Sequence, residues 1–271
     1  MTVCIAAICG DGKNIVVVAD RMFTSPLNVE FETEEHKIET LSKTCVAMAS
    51  GSSAYATEVL DIVRQRFSGK EPLTIQDIAN TVKESYTLVR NAKVYEQSIL
   101  PILGQDFLEE LKLKHTIPQY LEKQTDAYNR ILAISGQFNL GLDLLIAGID
   151  KTGAHIFDVT NPGTIFVLNK LGYAAVGSGG IHATISLSLC AQTSHRGLTD
   201  TLHSVYTAKR VSEVAPGVGR ITDVAILSDI ETWGCPQILL DSLDKTYIEY
   251  TKKAMPDLKQ VEEVYNAERK K

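Results

Sequence analysis

The sequence predicts an α+β fold in which two antiparallel sheets are sandwiched between pairs of helices, an αββα arrangement. Three observations carry this expectation. Two short, almost uninterrupted apolar runs flank an Asp-Gly turn at the start of the chain, the pattern of a hairpin buried on both faces. Segments with helical spacing then come in blocks: strands, two helices, strands, two helices, a strand, and helices again. That order is not the strict alternation of a doubly wound parallel sheet.

The elements follow in turn. Residues 2–9 and Ile15-Val16-Val17-Val18 form the first hairpin, joined through Asp11-Gly12. A strand is expected after Lys37, and TCVAMAS at 44–50 reads as another buried strand. Val59, Leu60, Val63 and Phe67 then share a helical face, and Gly69–Pro72 break the chain. Thr74 with Asp77 has the spacing of a capping box. Behind it, Ile75, Ile78, Ala79, Val82, Tyr86 and Val89 mark the clearest amphipathic helix. Residues 92–135, interrupted by Pro101 and Pro118, keep a helical period through Leu108, Leu111, Ile117, Tyr120, Leu121, Tyr128, Ile131 and Leu132. They read as a helical insertion. Strands return at 142–149, 154–159, 164–168 and 173–176, before Gly177-Ser178-Gly179-Gly180 and a helix from about 181. Thr199 is placed to cap the next helix, and 222–227 reads as a short apolar strand. Residues 1–230 thus form the core, and 231–271 read as a helical extension through Tyr247, Tyr250, Ala254, Leu258, Val261 and Tyr265, broken at Pro256.

Composition excludes several functions. The chain has 271 residues, a formal net charge of −6 and 44% hydrophobic residues. The acidic balance argues against binding a phosphate backbone. The apolar start is short, lacks a basic flank and meets Asp11 at once, so it reads as neither signal peptide nor anchor. The five cysteines include no CxxC pair, and the six histidines form no HExxH. Neither metal nor cofactor is expected, and the thiols suit a cytoplasmic protein.

The start of the chain also carries a chemical group. Thr2 follows the initiator Met, and loss of Met1 would expose an α-amine and a β-hydroxyl on one residue. Such an amine, which ordinarily titrates at about 7.7–8.0, can activate its own hydroxyl. Asp20 ends an apolar strand, where a carboxylate is costly unless paired. Lys37 precedes another strand, and a lysine held near Asp20 and the terminal amine would favour the neutral amine. Gly51, read as opening the helix after 44–50, can offer a backbone N–H to an oxyanion. Ser178, inside Gly-Ser-Gly-Gly, can reach the same pocket.

The stretches TVCIAAICGDGKNIVVVADR, HKIETLSKTCVAMASGSSAYATEVL, LDLLIAGIDKTGAHIFDVTNPGTIFVLNKLGYAAVGSGG and ITDVAILSD resemble the proteasome β-subunit family of N-terminal nucleophile (Ntn) hydrolases, which includes the bacterial HslV protease and Anbu-type relatives. The resemblance spans roughly residues 2–230 apart from 92–135. It implies the four-layer αββα sandwich of that fold, with Thr2 as nucleophile and Asp20 and Lys37 as its charge partners. Gly51 would supply the oxyanion N–H, and Ser178 would sit beside the terminal amine. Backbone near Thr24 and Ser25 would pair with an extended substrate. Glu213 is the candidate for the family's further acid, although the Ser-Gly expected after it is replaced by Ala215-Pro216-Gly217. No long propeptide precedes Thr2, as in HslV or Anbu. The implied activity is a threonine endopeptidase acting on peptides or unfolded proteins. The implied assembly is a homo-oligomeric ring, with an unfoldase as a further partner and no nucleic acid or membrane. Two alternatives stay open: an acyl transferase or peptide ligase on the same scaffold, and a catalytically silent assembly protein.

Overall fold

The opening apolar runs pair as a hairpin. Cys4–Cys9 (β1) lies antiparallel to Asn14–Asp20 (β2), with Cys4 opposite Ala19 and Cys9 opposite Asn14. In this computed structural model, residues 2–24, 29–68, 74–103, 129, 131–253, 263, 265–266 and 269 are described. The next strands are Met22–Thr24 (β3), Glu30–Glu32 (β4), Ile38–Ser42 (β5) and Cys45–Gly51 (β6). Two helices follow, Ser53–Phe67 (α1) and Ile75–Val94 (α2). Four strands come next: Leu142–Asp150 (β7), Gly153–Thr160 (β8), Thr164–Val167 (β9) and Tyr173–Val176 (β10). Helices Gly180–Leu189 (α3) and Leu198–Ser212 (α4) lead to strands Thr222–Leu227 (β11) and Thr232–Gly234 (β12), then to helix Gln237–Lys253 (α5).

The result is a mixed α+β protein with antiparallel sheets. One sheet runs β10-β1-β2-β11-β12, a second runs β5-β6-β7-β8-β9, and β3 pairs with β4 alone. Strand alternation divides the core. Ile5, Ala7, Val16 and Val18 point one way, against Ala183 and Leu187 of α3 and Val205, Tyr206 and Ala208 of α4. Ala6, Ile8, Val17 and Ala19 point the other way, against Val46, Met48, Leu145 and Ala147 of the second sheet. The reverse face of that sheet, with Leu144, Ile146, Phe157 and Val159, packs on Val59, Val63, Ile78, Val82 and Tyr86 of α1 and α2. Each fully buried aliphatic or aromatic side chain contributes about 1.5–3 kcal/mol by leaving water. Strands buried on both faces need apolar residues at every position, which is why β1 and β2 show no polar alternation.

Several local expectations hold. Thr74 and Asp77 form the reciprocal capping box at the start of α2. Other elements differ. Gly197, not Thr199, is the N-cap of α4, and Thr199 lies inside the helix. Glycine is tolerated at an N-cap, and Asp200 in the first turn supplies the negative charge that the helix start favours. Pro101 does not stop the helical run. After α2, Tyr95–Ile99 widen into a π-helical turn and Leu100–Leu103 resume as α-helix. The wider turn stands just before the proline, where it makes room for a ring that would otherwise crowd the carbonyl four residues back. The stretch after residue 230 opens with strand β12 beside β11, Trp233 facing Ile226 across the pair, before α5 begins. The β3–β4 hairpin escapes periodicity because its strands have only three residues each. Readings placed on Gly69–Pro72, Leu108, Leu111, Ile117, Pro118, Tyr120, Leu121, Tyr128, Ala254, Pro256, Leu258 and Val261 lie outside the described residues.

The second sheet also carries a titratable outlier. Burial, with Asp143 nearby, pushes the Asp158 carboxyl up to about 6 from 3.8. A raised carboxyl adds stability below its unfolded value and loses it as pH rises through the folded one. Asp158→Asn is therefore expected to gain stability relative to the native chain between about pH 4 and pH 7, measured as urea midpoints across that range.

Candidate active site

The ends of four elements converge on Thr2. Thr2 precedes β1 and is only 2% exposed. Its Oγ1 donates to Asp20 Oδ1 and accepts from Lys37 Nζ, both at close range. Asp20 is fully buried at the end of β2. Its carboxylate accepts three backbone N–H groups: Val3 at 2.8 Å on Oδ1, and Met22 at 2.9 Å and Gly219 at 3.0 Å on Oδ2. Lys37 Nζ lies 3.2 Å from both carboxylate oxygens and also donates to the Met22 carbonyl. Its ammonium stands 5.3 Å from the centre of the Phe23 ring, within cation–π range. A buried charge is thus met by a countercharge and by fixed amide dipoles, the condition for keeping it ionised away from water.

The Gly-Ser-Gly-Gly loop closes over the other side of Thr2. The Thr2 N–H donates to Ser178 Oγ at 3.2 Å, and Gly179 N–H donates to the Thr2 carbonyl at 3.2 Å. Ser178 Oγ in turn lies 3.0 Å from the Pro216 carbonyl and 3.3 Å from that of Thr2, and its single proton serves one of them. Gly177 has φ +96°, and a Cβ there would stand 2.2 Å from the Thr2 carbonyl oxygen. Only glycine allows this approach.

Gly51 is the last residue of β6, not the first of a helix; Ser52 caps α1, which starts at Ser53. At φ +105° a Cβ on Gly51 would lie 1.9 Å from the Gly141 carbonyl oxygen, so the position also demands glycine. Gly51 and Thr2 border one open cavity of about 240 Å³. Met22 and Phe23, Glu35, His36, Lys37 and Glu39, Ala49, and Ser53, Ala56 and Thr57 of α1 complete its walls. Thr24 ends β3 beside this cleft's strand wall, and Ser25 lies outside the described residues.

Glu213 is not brought to Thr2. Its carboxylate pairs with Lys209 at 2.6 Å and Arg210 at 3.2 Å. Lys209 is fully buried, and desolvation pulls its ammonium below the ordinary lysine value, although Glu213 opposes this. Lys209 also donates to the Arg220 carbonyl at 2.8 Å, next to the Gly219 N–H that Asp20 accepts. Glu213 therefore acts at one remove, anchoring the lysine that fixes the 216–220 loop. The groups that residue types do not reveal are main-chain ones: the Met22 and Pro216 carbonyls and the Gly219 N–H. Glycine recurrence in Pro216-Gly217-Val218-Gly219 is the one visible signal for that loop.

Burial pushes the Cys4 thiol, two residues from Thr2, up to about 12, so it stays a neutral thiol. The arrangement provides a hydroxyl between a carboxylate and an ammonium, open to a cavity with a glycine backbone on its border. That is the equipment for nucleophilic attack on a carbonyl. No known protein family matches the sequence, and no curated protein matches it. No helix among the described residues is long and apolar enough to cross a membrane.

Removing one member of the buried pair leaves the other unequally compensated. Without Lys37, Asp20 keeps three N–H donors; without Asp20, Lys37 loses the carboxylate it pairs with. Asp20→Asn is expected to destabilise by about 3–5 kcal/mol and Lys37→Met by clearly less, measured by chemical denaturation. Gly177→Ala is expected to displace Thr2, visible as lost amide protection of Val3 in hydrogen exchange, with the remaining sheet intact.

Proposed function

We propose that this protein is an N-terminal threonine hydrolase of the proteasome-like Ntn class, acting as a peptidase through a Thr2 acyl-enzyme. The observation that carries the reading is the Thr2 hydroxyl held between Asp20 and Lys37. The three buried clusters, helices against sheet, sheet against sheet and sheet against helices, support the four-layer αββα sandwich of that class.

In this mechanism, loss of Met1 frees the Thr2 amine beside Ser178. The Thr2 Oγ1 attacks a peptide carbonyl, forming a C–O bond, while its proton passes to the α-amine directly or through water. The Gly51 N–H stabilises the oxyanion. The tetrahedral centre collapses, the C–N bond breaks, and the leaving amine takes the proton. Water then attacks the ester and restores Thr2. Lys37 lowers the cost of the developing alkoxide, and Asp20 holds Lys37 in place. The reading extends to a cytoplasmic homo-oligomer. Ile181, Ile185 and Leu189 stand exposed at helical spacing on α3 and supply an apolar stripe for a neighbouring subunit.

Intact mass with a peptide epoxyketone tests the chemistry. The expected result is a chain lacking Met1 that gains a single adduct, absent in Thr2→Ala and strongly slowed in Lys37→Met. A chain that keeps Met1, or that takes no adduct at any concentration, would sink the proposal. Adding a free amine nucleophile during turnover separates hydrolysis from acyl transfer.

A further inference from the structure

Lys37 reaches Thr2 from a segment that the sheets do not hold. Residues 33–37 belong to no strand. The strand that follows, β5, is the edge of the second sheet and pairs with β6 alone. The Lys37 head is tied to Asp20 and to the Met22 carbonyl, but its backbone needs a separate anchor. Asp223 supplies one. It is the second residue of β11, in the first sheet, opposite Ala19 of β2, and it is buried. Its carboxylate accepts a fork from Arg21, with Nε at 3.0 and 2.9 Å from the two oxygens and Nη2 at 2.6 Å from Oδ1. The His36 Nδ1 lies 3.0 Å from Oδ2. Arg21 extends the hold: its carbonyl accepts the Thr33 N–H at 3.3 Å, and its Nη1 donates to the Glu34 carbonyl at 3.4 Å.

The sequence positions of these partners matter. Arg21 is the residue after Asp20, and His36 is the residue before Lys37. One buried carboxylate thus joins the chain neighbours of both groups that flank the Thr2 hydroxyl. We infer that Asp223 is a positioning residue for the Thr2 reaction, which clamps Arg21 and His36 and so sets where Lys37 stands relative to Asp20. Asp223 itself lies outside the walls of the cavity, so it acts through Lys37 and not on a bound peptide. Asp20 is already fixed by three N–H donors; the freedom that the clamp removes is that of residues 33–37. A forked guanidinium–carboxylate pair restrains direction as well as distance. Asp223→Asn keeps the shape but removes the charge, and its amide N–H groups would face the N–H groups of Arg21. The His36 side chain is 62% exposed, so His36→Ala opens the other arm without hollowing the core. This inference rests on the Thr2 reading for the reaction and on the clamp alone for the placement of Lys37.

Two measurements keep those parts distinct. The first follows adduct formation by a peptide epoxyketone as a function of its concentration. Asp223→Asn is expected to lower the maximal labelling rate on the order of tenfold to a hundredfold, as for a reacting group displaced by about 1 Å. The half-saturating concentration should stay where it is, because the cavity walls are unchanged. His36→Ala should act in the same direction and by less. In a Lys37→Met background, Asp223→Asn should add no further slowing, since both changes remove the same group from Thr2. Native labelling rates in Asp223→Asn, or equal slowing with and without Lys37, would overturn the inference and leave Thr2 as nucleophile. The second measurement needs no chemistry at Thr2. A buried, hydrogen-bonded ammonium exchanges its protons slowly enough to give a 1H–15N signal, assigned to Lys37 by its loss in Lys37→Met. Asp223→Asn is expected to abolish that signal and to spare that of Lys209, the fully buried lysine paired with Glu213, which reports an intact fold. If no probe labels the native chain, the Thr2 reading falls and the ammonium signal alone decides. A Lys37 signal unchanged in Asp223→Asn, or missing from the native protein, would overturn the clamp whatever the labelling shows.

Discussion

A single carboxylate organises the centre of this molecule. Asp20 lies at the end of β2, wholly out of water, where an isolated charge would cost many kcal/mol. The fold answers with N–H groups from three separate segments, at Val3, Met22 and Gly219, and with the ammonium of Lys37. Each partner belongs to a different piece of chain. Satisfying the charge therefore fixes the start of β1, the turn into β3, the approach to β5 and the loop before β11 relative to one another. The position of the Thr2 hydroxyl follows from that constraint. Lys209 and Glu213 extend the same logic one layer outward, since the lysine holds the carbonyl adjacent to Gly219.

The division of the core into three clusters explains how such a polar centre survives among apolar strands. β1 and β2 bury both faces, one on helices and one on the second sheet. Polar groups can enter only at strand ends, and Thr2, Asp20, Lys37 and Gly51 all sit at or beside such ends. The cavity opens there for the same reason: pleated packing stops, and side chains of β6 and α1 line the gap.

Much of this was legible in the sequence because it rests on side-chain chemistry. An aspartate closing the run Val16–Ala19 is anomalous enough to demand a partner, and Thr74 with Asp77 carries its own capping signal. Long strands were readable because burial on both faces leaves continuous apolar runs. What escaped has equally physical causes. Main-chain donors and acceptors such as Gly219 N–H and Met22 O look alike in every residue. Strands of three residues, β3, β4 and β12, are too short to show a period. Gly197 caps α4 although Thr199 is the better side-chain cap, because backbone geometry, not side-chain rank, sets where the helix starts. Glu213 stands four residues after Lys209, a spacing that already announces an ion pair on one helix face; that local partner claims its carboxylate.

The strand Thr232–Gly234 gives the end of the chain a protective duty. β11 pairs with β2 on one side and with β12 on the other, so the residues after 230 shield backbone that would otherwise face solvent with open N–H and C=O groups. An uncovered β11 would be a template for a strand of another molecule. The three-residue cover is itself short, which keeps the new rim a poor template in its turn.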